Sequence, residues 1–391
     1  MLVAVIFLGV EVKGSRSWFE FGPVRFQPAE VSKITTSLLL ATVLSQTNFK
    51  ITRLKDLLLV ALVIGVPMLV ILAESETGSA LVYLGFIFVM YREGFSGWWL
   101  FSIGMAILLF ILTLTASPVV SLLVLIGIIM VCAVISSGRI ETTTWINAGI
   151  FILLCLVPLL MGFAKPDSFL HKIKPMYVLT GLAVCAAFFF IYRGYKNRNR
   201  FLSLSSLGLL AGIALIFSTD FIFNNVLQDH QRKRIEVLLG MKDDPAGVGY
   251  NVNQSMIAIG SGGLFGKGFL NGTQTTFGFV PEQSTDFIFC TVGEEWGFLG
   301  CFIVIILYVF MIWRIIVDAE KSRESFTRIY GYCVAACIFM HLFINIGMTI
   351  GLMPVIGIPL PLLSYGGSSL WAFTVLIFIF VALYRQEKKY Y

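Results

Sequence analysis

Charge is the scarcest commodity in this sequence. Asp, Glu, Lys and Arg make up 13% of its 391 residues against 58% apolar ones, and there are only 3 histidines. Such a chain cannot cover a soluble globular surface. None of the 7 cysteines is paired at CxxC spacing and none is expected to have a histidine at ligand distance, so they are read as small apolar residues, and neither a disulfide nor a zinc site is expected. No basic region precedes the apolar opening Met1 to Val10, which argues against a signal peptide. At about half the ~20 residues of a full span, that opening is expected to be part of a helix in an N-terminally shortened chain. There is no Walker A loop either, because Gly266-Lys267 is followed by Gly268, not by Ser or Thr. No soluble domain, low-complexity linker or clear internal repeat stands out.

What remains is a series of apolar runs, with a mean hydropathy of +0.89. They lie at about 29–46, 56–73, 78–91, 98–115, 118–137, 144–163, 176–193, 206–223, 286–316, 326–351 and 367–385. With the partial first one they predict an all-α, polytopic membrane bundle of about 12 spans in a single domain. Residues 11–28 are expected to be a polar loop with interfacial Trp18, Phe19 and Phe21.

The net charge of +6 reports topology, not nucleic-acid binding. If the polar stretch 224–285 is extracytoplasmic, the basic junctions around Lys50, Arg92, Arg139, Arg193 to Arg200, Arg314 to Arg328 and the tail all fall inside, with a mild exception at Lys165, Lys172 and Lys174. The block from about 98 to 200 carries hardly any charge within its apolar runs and reads as scaffold.

The chain is organised around 224–300, where carboxylates enter membrane territory and are therefore functional candidates. Pro281 to Phe289 reads PEQSTDFIF and leads into a helix that carries Glu294 and Glu295. Thr285 or Asp286 fits a helix N-cap; a carboxylate so placed would also point toward a surface-bound substrate. Glu294 and Glu295 could form a structural ion pair with a basic residue of another helix. His230-Gln231-Arg232-Lys233-Arg234 fits either anchorage among lipid head groups or a phosphate clamp. Asp243-Asp244, Gln254 and the glycine-rich stretch to Gly268 follow, with Lys267 inside it. Glu30 and Lys33, at i and i+3, predict a local pair, and Glu74 and Glu76 mark a turn. Asn345 opens a Gly/Pro-broken stretch running through Ser364 to Ser368, and broken backbone at membrane depth must line a cavity or re-enter.

Together the motifs FQPAEVSK, HQRKR, DDPAGVGYNVNQSMIAIGSGGLFGKGFLNGTQ, FVPEQSTDFIFCTVGEEWGF and NIGMTIGLMPVIGIPLPLLSYGGSS resemble the shape, elongation, division and sporulation proteins, the RodA/FtsW/SpoVE family. LNGTQ and TDFIF resemble its RodA branch. The resemblance implies a peptidoglycan glycosyltransferase of the bacterial plasma membrane. Such an enzyme polymerises lipid II into glycan strands on the extracytoplasmic face during cell elongation, alongside a class B penicillin-binding protein and other elongation-complex membrane proteins.

Asp286 matches the family's essential acid and would be the catalytic base. Arg232, Arg234, Lys267, Glu282, Gln254 and Ser364 would bind substrate or diphosphate, while Glu30, Lys33, Glu76, Glu294, Glu295 and Asn345 would form a polar core. A divalent cation, Mg or Mn, is compatible with this chemistry, and no organic cofactor is implied. Glu76 stands where the family's PD-x-G turn has Asp, and about 116–205 reads as an extra-helix insertion. Two other readings fit the same residues. A lipid II flippase would place its essential charges near the midplane, and a non-catalytic scaffold for the penicillin-binding protein would tolerate loss of Asp286.

Overall fold

The computed structural model describes the chain except residues 13, 14, 23, 52, 138–148, 151, 155, 157–174, 197, 199, 228, 240, 242–248 and 391. Met1–Gly97 with Arg234–Tyr391 form one compact unit, and Trp98–Lys233 form a second.

In the first unit the short α1 (Leu2–Leu8) is followed by β1 (Val10–Val12), β2 (Ser15–Phe21) and β3 (Val24–Phe26). These strands pair antiparallel in the order β1-β2-β3. The expected polar loop at 11–28 is therefore a small sheet. Trp18 and Phe19 are strand formers, and pairing satisfies the backbone groups of the three strands.

Next come α2 (Pro28–Leu44), α3 (Leu54–Ala73), α4 (Thr77–Tyr83) and α5 (Phe86–Arg92). The single run expected at 78–91 is thus two short helices broken near Gly85. There a Cβ would come within 2.5 Å of Met340 Cγ, so the break lets the chain approach its neighbour closely.

The second unit holds α6 (Gly97–Thr115), α7 (Pro118–Ser137), α8 (Pro175–Lys196) and α9 (Arg200–Phe221), the last continuing as a π-helical turn over Ile222–Val226. Leu109, Leu122, Leu125, Leu179, Ala187, Leu209 and Ile213 form its core. A Cβ at Gly212 would lie 2.6 Å from Leu125, so this glycine admits α7 against α9. The run expected at 144–163 lies mostly outside the described residues.

Returning to the first unit, α10 (Asp229–Leu238) crosses the junction, and α11 (Tyr250–Gly262), α12 (Thr273–Thr276), α13 (Ile288–Lys321), α14 (Ser325–Thr349) and α15 (Gly367–Tyr390) follow. The stretch 224–285 is therefore partly helical. α14 is the central element: 78% of its apolar window is buried inside the protein, against 17% for α13 and 28% for α15. Small residues make this possible, since Gly331, Cys333, Ala335, Ala336 and Cys337 let neighbours approach where apolar burial gives little driving force. Among the described residues, seven helices are long and apolar enough to cross a membrane: α3, α6, α8, α9, α13, α14 and α15. This is a multi-pass membrane protein.

Candidate active site

Asp286 sits in a turn, ahead of the helix it was expected to cap. Glu282 adopts φ +57°, and its carbonyl accepts from the Thr285 and Phe287 amides at 3.1 and 3.2 Å. Phe287 takes the N-cap position of α13, with no side-chain capping bond. Capping by Thr285 or Asp286 is therefore corrected: the Glu282 turn uses the backbone ahead of the helix and delays its start.

Three successive carbonyls of this turn are held from outside. The Ser284 carbonyl accepts from the Tyr365 amide at 2.8 Å, that of Thr285 from the Ser364 hydroxyl at 2.6 Å, and that of Asp286 from the Asn345 side-chain amide at 2.8 Å. Ser364 Oγ in turn accepts from the Leu360 amide at 2.7 Å, so the one proton of that hydroxyl is committed inside the protein. Asn345 Nδ2 donates a second bond, to the Ile358 carbonyl at 2.7 Å. The broken stretch after α14 thus forms a bed for the Asp286 backbone. Gly357 has φ +77° there, and a Cβ on it would lie 3.3 Å from Asp286 Oδ2, so the half-buried carboxylate rests against a glycine.

The Glu74–Glu76 turn reaches the same bed from its other side. A Cβ at Gly78 would meet Ile358 Cγ1 at 2.9 Å and Ile356 Cγ2 at 3.0 Å, which explains a glycine two residues after Glu76. Gln27 Nε2 donates to Glu76 Oε1 at 2.6 Å. Burial raises the Glu76 carboxyl above its ordinary range, opposed by hydrogen bonds from Ser17, Gln27 and Ser79. Glu74 is 2% exposed, and neither of its oxygens finds a partner among the described residues. Burial first, then the neighbouring Glu76, push its carboxyl up to about 8.

Glu294 organises the glycine-rich segment. Its Oε1 accepts from Lys267 Nζ at 2.7 Å and the Gln274 amide at 2.9 Å, and its Oε2 from the Thr275 amide and hydroxyl at 2.9 and 2.8 Å. The ion pair foreseen for Glu294 exists, but its partner Lys267 lies in the loop and not on another spanning helix. Lys267 also donates to Thr273 Oγ1 at 2.8 Å, so two of its three ammonium protons are committed among the described residues. Glu295 is buried, and its carbonyl accepts from the Gly268 amide at 2.9 Å. At Gly297, φ +65° and ψ −160° kink α13, and a Cβ there would lie 2.4 Å from Gly266 N. The two glycines let the backbones touch.

Glu30 and Lys33 pair at 2.7 Å as expected. Lys33 also reaches His341 Nε2 at 2.9 Å, a contact the spacing could not show. His341 is the functional candidate that sequence reasoning missed, although an ionisable residue inside a spanning helix was itself a signal. Gln254 is half-buried on α11, whose Ser255 hydroxyl donates to the Thr349 carbonyl at 2.9 Å. Arg232 and Arg234 lie on α10; Arg232 is half-buried, and the Arg234 side chain falls outside what is described, as do Asp243 and Asp244.

The FtsW/RodA/SpoVE cell cycle protein model matches residues 1–120 and 200–389. The chain belongs to the FtsW/RodA/SpoVE family. Among curated relatives, the peptidoglycan glycosyltransferase RodA of Treponema pallidum is 31% identical over 374 residues, which cover 95% of this chain and 77% of that one. Peptidoglycan glycosyltransferase MrdB of Escherichia coli K12 is 39% identical over 230 residues, covering 57% of this chain and 56% of that one. The chain thus spans little more than half the length of this latter relative.

In fold the family member resembles a solved peptidoglycan synthase complex that coordinates polymerization and crosslinking, with a TM-score of 0.54 and 22% identity over 99% of this chain and 78% of that one. It also resembles Thermus thermophilus RodA, with a TM-score of 0.50 and 20% identity over 99% of this chain and 74% of that one. The family model leaves 121–199 unmatched, within the second unit.

Proposed function

We propose that this protein is a peptidoglycan glycosyltransferase that polymerises lipid II into glycan strands during cell elongation. It would act at the extracytoplasmic face of the bacterial plasma membrane, paired with a class B penicillin-binding protein. The observation that carries this reading is the fixed turn of Asp286: three consecutive carbonyls are each clamped, so the backbone that carries the carboxylate is held in place where an apolar helix begins. Pre-orientation of this kind lowers a barrier by removing the cost of positioning. The names of the Treponema and Escherichia relatives support the choice of substrate and reaction.

Asp286 acts as general base. It takes the proton from the 4-hydroxyl of the acceptor sugar as that oxygen bonds to the anomeric carbon of the donor. The bond from that carbon to undecaprenyl diphosphate breaks, and the diphosphate leaves with its electron pair. One displacement inverts the anomeric carbon and needs no second, nucleophilic carboxylate. Lys267 neutralises the diphosphate, Gln254 and Glu282 line the substrate path, and Ser364 serves the backbone of the Asp286 turn. A divalent cation, Mg or Mn, would help to neutralise the diphosphate and would need only one or two carboxylates from the protein; no step is routed through it. Residues 116–205 are read as an extra-helix insertion.

The test is glycan synthesis from purified lipid II, with the partner present and its transpeptidase blocked, comparing wild type with Asp286→Asn. Polymer from wild type and none from a normally folded variant supports the base. Equal polymer from both removes Asp286 from that role, and absence of polymer while lipid II crosses vesicles favours transport.

A further inference from the structure

We propose that His341 is a positioning residue for Asp286: with its tautomer set by Lys33, it fastens the backbone bed on which the Asp286 turn rests. The catalytic consequence rests on the polymerase reading above; the structural content does not.

Three ionisable side chains meet in the core of the first unit. Lys33 Nζ lies 2.7 Å from Glu30 Oε1 and 2.9 Å from His341 Nε2, and the three residues are 2%, 3% and 1% exposed. An ammonium group only donates, so Nε2 accepts and the imidazole proton sits on Nδ1. That proton is donated to the Pro359 carbonyl at 3.1 Å. Phe373 closes the site, its ring 4.7 Å from the imidazole at 86° and 5.1 Å from Lys33 Nζ. Lys33 therefore does more than pair with Glu30. It leaves the imidazole a single tautomer, the one that can hold Pro359.

Pro359 lies between two residues already tied to the Asp286 turn. The Ile358 carbonyl is held by Asn345, which also holds the Asp286 carbonyl. The Leu360 amide is held by Ser364, which also holds the Thr285 carbonyl. His341 and Asn345 are four residues apart on α14 and so share one face of it. Among the described residues His341 is the one of these three clamps that makes no hydrogen bond to the turn itself, so it acts on Asp286 through residues 358–360. Prolines 359 and 361 carry no N–H and cannot join a regular ladder, which leaves side chains to hold this backbone.

Two neutral substitutions separate the two ring nitrogens. His341→Asn keeps a donor near the Nδ1 position and gives up the Lys33 contact, whereas His341→Gln offers its oxygen to Lys33 and gives up the Pro359 donor. Both are made in the full chain in nanodiscs, below the melting temperature of either variant. The primary readout is hydrogen–deuterium exchange at the Leu360 and Tyr365 amides, which report the bed and its contact with the turn without any need for catalysis.

His341→Asn is expected to exchange like wild type there, and His341→Gln at least about tenfold faster. In the glycan assay kcat should stay within about threefold of wild type for Asn and fall about tenfold or more for Gln, with KM little changed in either. Equal exchange in the two variants, or faster exchange in Asn, overturns the proposal. If wild type makes no glycan at all, the polymerase reading fails while the exchange comparison still decides the role of His341.

Discussion

Asn345 bonds the carbonyl of Asp286 and the carbonyl of Ile358 with the same side-chain nitrogen, at 2.8 and 2.7 Å. One buried amide thus joins the turn that carries the candidate base to the broken segment beneath it. Asn345→Leu is close in size and removes both donors, leaving two carbonyls unsatisfied. Each such loss costs about 1–3 kcal/mol, and the turn loses one of its three outer clamps. Glycan synthesis should fall about 10²-fold, with a lowered melting temperature in detergent. Unaltered synthesis in a folded variant would show that the clamp is not needed.

Gly357 places the bed next to the carboxylate. Its φ of +77° disfavours any side chain, and a Cβ would stand 3.3 Å from Asp286 Oδ2. Gly357→Ala combines about 1 kcal/mol or more of backbone strain with a push on the reacting group. We expect kcat to drop more than tenfold while lipid II binding changes little, measured as separate kcat and KM in the glycan assay.

How much of this was legible beforehand follows from the kind of signal each feature gives. The long helices were readable because apolar runs have one cause in a membrane chain, and α13, α14 and α15 begin within two residues of their expected starts at 286, 326 and 367. The sheet over residues 10–26 was hidden by its glycines and charges, which look alike in a loop and in short strands.

Asp286 and Asn345 stood out as polar residues in greasy surroundings, but not the bond between them, which joins positions 59 residues apart. The N-cap expectation failed because Glu282 takes a positive φ, something a non-glycine residue does not announce. Lys267 stood out only as a cation for the diphosphate; its bond to Glu294 spans 27 residues and follows from glycines packing backbone on backbone.

Glu74 makes stability depend on pH. Its folded-state carboxyl is raised to about 8 from an ordinary 4.5 by burial and by Glu76, so the folded protein holds this proton more tightly than the unfolded chain does. The associated stability is fully present below about 4.5 and is lost as pH rises through about 8. Glu74→Gln cannot ionise. Its melting temperature should exceed that of wild type by a few degrees above pH 8, and the gap should shrink as pH falls toward 5. A gap that does not change with pH would place the effect elsewhere than in this titration.

Glu294 holds together a segment that has little core of its own. Its two oxygens accept five bonds from residues 267–275, on Lys267, Thr273, Gln274 and Thr275, besides a longer one from Ser261, and Phe265, Phe269 and Phe277 nearby are exposed. Glu294→Ala strands the Lys267 ammonium and two backbone amides, a loss of about 3–5 kcal/mol for a broken buried pair, discounted because Lys267 is 27% exposed. The damage should be local, because α13 and α14 pack through other residues. Limited proteolysis should cut between residues 265 and 280 at least tenfold faster in the variant, while the helical circular dichroism stays as in wild type. Glu294→Gln, which keeps the size and can accept from the same amides through its oxygen, should lie between the two. Cleavage of Glu294→Ala at the wild-type rate would mean that the backbone contact of Gly266 with Gly297 suffices to hold the segment without the carboxylate.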